Sequence, residues 1–192
     1  MECYVDVAPG VRLWAEEIPA TGASPGEPLL LVMGAGASGV AWPDDLVALL
    51  AERHRVIRYD HRDTGRSTTA FDDDEPYSIT ELAADAIAVL DAFDVPVAHV
   101  VGMSMGGLLV QLMLLDHPER IASATVFCTG PLPAAAGPEL PGPEPALLRL
   151  WGELDDPRDH EGEVAWRVEH WRLLNAPAPP STRTSSVRSR SG

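Results

Sequence analysis

A serine between two glycines is the residue whose setting most clearly predicts chemistry. Gly102, Ser104 and Gly106 fit the pattern G-x-S-x-G, with an apolar strand at residues 99–101 before it and an apolar helix from Met105 after it. On such a strand-to-helix corner the serine occupies a sharp, strained turn that has no room for flanking side chains. The helix N-terminus also favours negative charge there. The pattern predicts that Ser104 is a nucleophile in acyl transfer; the alternative is a serine in an ordinary tight turn.

Acyl transfer also requires two backbone N–H groups that bind the developing oxyanion. Met105, the residue after the nucleophile, is predicted to supply one of them. The loop after the first buried strand contains Gly34, Ala35 and Gly36, and Ala35 is the preferred second donor because the glycines allow close backbone approach. An ordinary glycine-rich loop is the alternative, and the spacing does not fit a dinucleotide fingerprint. Gly34 and Gly36, together with Met103, are predicted to contact the substrate.

The elements around these residues alternate between strand and helix patterns. Residues 29–33 are apolar throughout, and residues 97–101 nearly so, which is typical of central parallel strands covered on both faces. Ser78 and Glu81 form a capping box ahead of an amphipathic helix. The alternation predicts an α/β fold with a mostly parallel sheet and helices on both faces. The two apolar strands are expected to be central neighbours that end at the same edge of the sheet.

A third motif makes the pattern specific. Residues 59–67 read Y-D-H-R-D-T-G-R-S after a predicted strand, residues 31–34 read L-V-M-G, and residues 99–106 read H-V-V-G-M-S-M-G. Taken together, these segments resemble the α/β-hydrolase superfamily, and within it the aclacinomycin methylesterase-like esterases. The resemblance covers roughly residues 5–175 and implies the α/β-hydrolase fold.

The resemblance implies a serine hydrolase of carboxylic methyl esters of the polyketide type, which works through an acyl-enzyme on Ser104. It implies a small-molecule ester as partner, and neither a cofactor nor a metal. Asp60, Arg62 and Ser67 in the third motif are interpreted as structural residues that hold their turn. Two alternatives stay open: a non-catalytic, ligand-binding remnant of the fold, and a cofactor-free haloperoxidase-like enzyme built around the same pocket.

The triad of this family runs in the order Ser, acid, His, and none of the available histidines fits the last place. His117 ends the helix that starts after Ser104, on the order of 20 Å away. His160 and His170 fall in later helices, where His170, with Trp166 and Trp171 near it, is predicted to line a substrate cavity or simply to pack. His61 is expected to lie one strand away from the serine. No carboxylate follows the next strand, where some family members place the acid. We therefore expect a fold that is incomplete on its C-terminal side, in a chain of low activity.

The sequence predicts three regions: a hydrolase core at residues 1–130, a partial helical cap at 131–175, and a disordered or frame-shifted tail at 176–192. The tail has three arginines, no acidic residue and almost no apolar side chain, so it offers little to bury. The last strand of the core, at residues 122–128, would form an exposed sheet edge. The chain is accordingly expected to be a monomer or to self-associate through that edge.

Composition restricts the other partners. The 192 residues carry a net charge of −15, which disfavours nucleic acid and anionic membranes because both attract cations. No apolar run approaches the ~18 residues needed to cross a bilayer, and no secretory signal opens the chain. Cys3 and Cys128 lie far apart, without the spacing of a metal site. These features predict two reduced thiols in a cytoplasmic protein.

Overall fold

The computed structural model describes residues 1–69, 76–132, 142–154 and 156–175. The chain divides into two compact units, Met1–Ala135 and Ala136–Gly192. The first unit contains a sheet with helices, and the described part of the second contains two helices. The predicted tail at 176–192 lies outside the described residues, and the assignment of the second unit as a partial cap stays a prediction.

Six strands form one mixed sheet with the spatial order β1-β2-β4-β3-β5-β6. The hairpin β1–β2 and the pair β2–β4 are antiparallel, whereas the other neighbours are parallel. The strands are β1 Glu2–Ala8, β2 Val11–Ile18, β3 Leu29–Val32, β4 Val56–Tyr59, β5 Ala98–Met103 and β6 Ile121–Phe127.

The described residues contain five α-helices. They are α1 Asp44–Ala51, α2 Ile79–Ala92, α3 Met105–Asp116, α4 Pro145–Trp151 and α5 His160–Leu174. Helix α2 begins with the predicted capping box, in which the N–H of Ser78 donates to Glu81 at 2.8 Å and the N–H of Glu81 donates to the Ser78 hydroxyl at 3.2 Å. Two free N–H groups of the first turn are thereby satisfied.

The core lies on both faces of the sheet, as the fully apolar strands predict. Leu30 and Val32 of β3 pack on one face in a cluster with residues of α2 and α3, including Leu109. Leu31 and Met33 point to the other face and pack in a second cluster with Val47 of α1. Strand β3 is therefore buried between two helical layers, which confirms the predicted α/β architecture.

The predicted arrangement of the two central strands is confirmed. Strands β3 and β5 are parallel neighbours, with Leu29 opposite His99 and Val32 opposite Gly102. The loop after Met33 and the turn after Met103 consequently lie at the same edge of the sheet. This register brings the two halves of the candidate site together.

Strand β6 ends the sheet. Its outer side has no strand partner in the described part of the chain, and the side chains of Val126 and Phe127 are 42% and 37% exposed. No charged residue falls between Ile121 and Phe127. An uncharged edge of this kind can pair with a strand of another chain.

We expect this edge to cause self-association that a charge on β6 suppresses. In sedimentation velocity, the wild-type chain should form larger species as its concentration rises, and Thr125→Lys should form fewer of them. The lysine reduces the negative net charge, so a general charge effect would act in the opposite direction. Thr125→Val is the matched control and should behave like the wild type. A single monomeric boundary for the wild type at every concentration would contradict the expectation.

Candidate active site

Ser104 lies at the corner between β5 and α3 in a strained backbone conformation. Its φ is 55° and its ψ is −120°, a region that costs a non-glycine residue about 1–3 kcal/mol. The residue is exposed, and its side chain makes no capping hydrogen bond to the helix that it precedes. Its hydroxyl therefore faces solvent from a fixed corner, which is the geometry that the G-x-S-x-G pattern predicts.

The two glycines beside Ser104 are required by close backbone contacts. A Cβ on Gly102 would collide with the carbonyl oxygen of Gly106, and a Cβ on Gly106 would collide with the carbonyl oxygen of Val32. Because those neighbours are backbone atoms, they cannot move aside as a flexible side chain would. The glycines thus allow α3 to pack tightly against β3 and β5 directly behind the serine.

The glycine loop after β3 lies beside Ser104. A Cβ on Gly34 would be 3.2 Å from the Ser104 Cβ and 3.7 Å from the Met103 Cε, so the loop and both residues form one surface. Ala35 and Gly36 are exposed, and the N–H of Ala35 has no acceptor among the described residues. The N–H of Met105, at the first position of α3, has no acceptor within its own helix. Both N–H groups can therefore bind an anion, and their role in an oxyanion hole stays a prediction.

The Y-D-H-R turn after β4 holds this loop in place. The buried Asp60 carboxylate accepts hydrogen bonds from the Ser38 hydroxyl at 2.6 Å and from the N–H of Gly39 at 2.7 Å. Its second oxygen accepts the N–H of Arg66 at 2.8 Å. All these contacts are internal to the protein, which supports the interpretation of Asp60 as structural.

Arg62 and Ser67 also make structural contacts. Arg62 forms a bidentate pair with Asp85 of α2, at 2.7 and 2.8 Å, and both side chains are buried. The hydrogen bond and charge of Asp85 raise the pKa of Arg62. The Ser67 hydroxyl donates to the carbonyl oxygen of Asp60 and accepts the N–H of Trp14. The turn is thereby attached to α2 and to β2.

The histidines whose contacts the structure describes have partners other than Ser104. His61 is buried, and its Nε2 lies 2.9 Å from the carbonyl oxygen of Met33. His117 caps the far end of α3 and lies 3.8 Å from Glu119. The Nδ1 of His99 lies 2.7 Å from the Ser123 hydroxyl. None of these contacts is with the serine, and the expectation that no histidine of this chain serves as the base stays a prediction.

His170 lies in the second unit, within a group of aromatic rings. Its Nε2 accepts a hydrogen bond from the Trp151 Nε1 at 3.0 Å, and the ring of Trp166 lies 5.3 Å away between centroids. Trp171 is a third neighbour, at 6.4 Å. The sequence predicted the proximity of Trp166 and Trp171, which lie near His170 in the same helix, but not the contact with Trp151. The role of His170 in substrate binding stays a prediction.

Two further features concern metals and membranes. In the described ranges, no group of three or more His, Cys, Asp or Glu side chains could hold a metal ion. No helix in those ranges is both long and apolar enough to cross a bilayer.

Comparison with known proteins shows the family to which the chain belongs. A family profile described as the alpha/beta hydrolase fold matches residues 27–161. The match covers more than half of the chain, and the chain therefore belongs to the α/β-hydrolase family. The predicted membership is confirmed.

Two relatives are similar to the chain over most of its length. It is 43% identical over 187 residues to the rhodomycin D methylesterases DnrP of Streptomyces peucetius and DauP of Streptomyces sp. strain C5, a match that covers 88% of the chain and 61% of each relative. The predicted resemblance to aclacinomycin methylesterase-like esterases is thereby confirmed. The chain spans about three-fifths of the length of these relatives.

Among solved structures, a hydrolase from Pseudomonas aeruginosa superposes with a TM-score of 0.67 and 27% identity, covering 93% of this chain and 63% of that one. The esterase RhEst1 from a Rhodococcus species superposes with a TM-score of 0.57 and 29% identity, covering 67% and 46%. Both likenesses support the α/β-hydrolase fold.

Proposed function

We propose that the chain carries the nucleophile and the oxyanion hole of a serine ester hydrolase that acts on methyl esters. The observation that carries this proposal is the strained backbone at Ser104, an exposed residue whose side chain makes no capping hydrogen bond and lies beside the loop at Gly34. The similarity to two rhodomycin D methylesterases supports a carboxylic methyl ester of the polyketide type as substrate.

The proposed reaction uses the serine hydroxyl and the two N–H groups. The Ser104 Oγ attacks the ester carbonyl carbon, and the carbonyl oxygen becomes an oxyanion that the N–H groups of Ala35 and Met105 stabilise. Collapse of the tetrahedral intermediate breaks the bond to the alkoxy oxygen, which takes up the proton that the serine hydroxyl lost and leaves as the alcohol, methanol for a methyl ester; an acyl group remains on Ser104. Water then releases the acid. Gly34, Gly36 and Met103 border the position of the reacting carbonyl group.

The proposed reaction also requires a base. A serine hydroxyl needs a neighbouring group that accepts its proton, and the contacts of His61, His99 and His117 lie elsewhere. This observation favours a second candidate function, in which the chain binds an ester-like ligand without turning it over. Both functions use the surface around Ser104 and differ in the reactivity of its hydroxyl.

A fluorophosphonate probe distinguishes the two functions. Attack by the Ser104 Oγ forms a P–O bond and expels fluoride, while the N–H groups stabilise the phosphoryl oxygen. We expect slow labelling of Ser104, identified by peptide mass mapping, and no labelling at that peptide in Ser104→Ala. Ser181, in a segment without the elbow pattern, provides an internal reference for an ordinary serine. Labelling of Ser104 no faster than that of Ser181 would support the ligand-binding candidate instead.

A further inference from the structure

We propose that His61 is a positioning residue that, together with Asp60, clamps the loop at residues 34–37 and sets the direction of its oxyanion-binding N–H group, that of Ala35. The inference rests on the proposed function, since it concerns the same oxyanion hole. It assigns to His61 a role in the reaction that is neither that of a base nor that of a nucleophile.

The clamp contacts the loop from both sides. On the side of β3, the His61 Nε2 lies 2.9 Å from the carbonyl oxygen of Met33, the residue before Gly34. On the other side, the Asp60 Oδ1 accepts the Ser38 hydroxyl at 2.6 Å and the N–H of Gly39 at 2.7 Å. Two consecutive residues at the end of β4 therefore hold both ends of a loop that contains two glycines. Without such contacts, glycines would leave the loop free to adopt other conformations.

The contact with Met33 acts on the loop through a peptide plane. The carbonyl of Met33 and the N–H of Gly34 belong to the same planar unit, so fixing the oxygen fixes the direction in which the loop leaves β3. The chain then passes Ser104 at once, with the Cβ position of Gly34 only 3.2 Å from the Ser104 Cβ. A small rotation of this plane would move the following N–H, that of Ala35, relative to the serine.

The chemical state of His61 suits a donor. Because a carbonyl oxygen can only accept, the Nε2 must carry the proton in this contact. The His61 side chain is 2% exposed, and its Nδ1 has no hydrogen-bond partner among the described residues. Burial lowers the pKa of His61, although the Met33 carbonyl, Asp85 and Asp60 act in the opposite direction. A neutral imidazole that is buried and bonded on one side is suited to hold a backbone group without adding charge near the site.

A test of the clamp should not depend on a general base. In Ser104→Cys the nucleophile is a thiol, which is partly ionised near neutral pH and is acylated by p-nitrophenyl acetate through an oxyanion. The same thiol reacts with iodoacetamide by displacement of iodide, a step without an oxyanion. The ratio of the two rates at position 104, resolved from Cys3 and Cys128 by peptide mass mapping, reports on the oxyanion hole. The full chain is used throughout.

In this background, His61→Leu removes the hydrogen-bond donor. We expect the acylation rate to fall about tenfold, because small misplacements of catalytic groups have effects of this size. The alkylation rate should change less than about twofold. His61→Gln provides an N–H that can reach Met33 and should restore most of the acylation rate. His61→Asn is the matched control, because its shorter amide cannot reach.

Three outcomes would overturn the clamp. Acylation and alkylation slowed equally by His61→Leu and His61→Asn would make His61 a merely structural residue. An unchanged rate ratio in all His61 variants would remove its influence on the hole. If Ser104→Cys itself showed no preference for acylation over that of free cysteine, the oxyanion hole and the proposed function would fail together. Should His61→Leu not fold, the comparison of His61→Gln with His61→Asn decides.

Discussion

Methyl-ester hydrolysis by the purified chain is expected to be close to background and nearly independent of pH between about 6 and 8, the interval in which an imidazole base would titrate. Burial lowers the pKa of His61, and its Nε2 is bonded to the carbonyl oxygen of Met33 rather than to Ser104, so we do not expect it to act as this base. The residual rate should come from the oxyanion hole and substrate binding alone. The measurement is methanol release from a methyl ester at several pH values, with Ser104→Ala as the reference.

A chimaera provides the positive control for this result. The segment of a rhodomycin D methylesterase that follows its matched region, appended after Asn175, should supply the acid and the histidine that the family order places after the nucleophile. We expect the rate to rise by about 10²–10⁴-fold, the usual contribution of general acid–base catalysis. It should also increase with pH through a pKa near 6.5, because the base must be unprotonated. Robust turnover by the chain alone, abolished by Ser104→Ala, would contradict the prediction and would assign the base to His61 or His170.

Removal of Arg62 is expected to be the most destabilising single change in the Y-D-H-R turn. Arg62→Met would leave the Asp85 carboxylate buried without its bidentate partner, a situation that costs about 3–5 kcal/mol. This is a large fraction of the ~5–15 kcal/mol by which domains are stable. Urea denaturation followed by circular dichroism should show a markedly lower midpoint.

The matched control is Arg66→Met. Arg66 also pairs with a carboxylate, that of Glu2 at 3.1 Å, but both side chains are more than half exposed. Such a pair contributes less than about 1 kcal/mol, so Arg66→Met should lower the midpoint only slightly. In Arg62→Met/Asp85→Leu neither charge of this buried pair remains, and much of the loss should be recovered. Equal midpoints for the two single variants would show that the Arg62 pair is no more important than the surface pair.

Much of the fold could be predicted because its signals are local. The fully apolar residues 29–33 require cover on both faces, and the capping box at Ser78 marks where α2 begins; the structure has both features. The corner at Ser104 was also predictable, since a strand, two glycines and a helix occur together over a few residues. The structure shows the expected positive φ there.

Other features could not be predicted because they depend on contacts between distant segments. The bond between His61 and Met33 joins residues 28 positions apart, and neither residue type indicates it. A sequence does not distinguish a buried histidine that only packs against its neighbours from one that donates a hydrogen bond. The contact of Trp151 with His170 likewise depends on how α4 meets α5. The signal that could have indicated the clamp is the position of His61 directly after Asp60, at the end of a strand next to β3.

The strained backbone at Ser104 lowers the stability of the chain, whereas the proposed reaction requires a hydroxyl at this position. Glycine adopts the conformation at φ 55° and ψ −120° without the steric cost that a side chain incurs. A population of these chains selected only for resistance to unfolding would therefore be expected to replace Ser104 by glycine and to lose the hydroxyl. Under the proposed function, the serine at this corner is retained for its reactivity at the expense of stability.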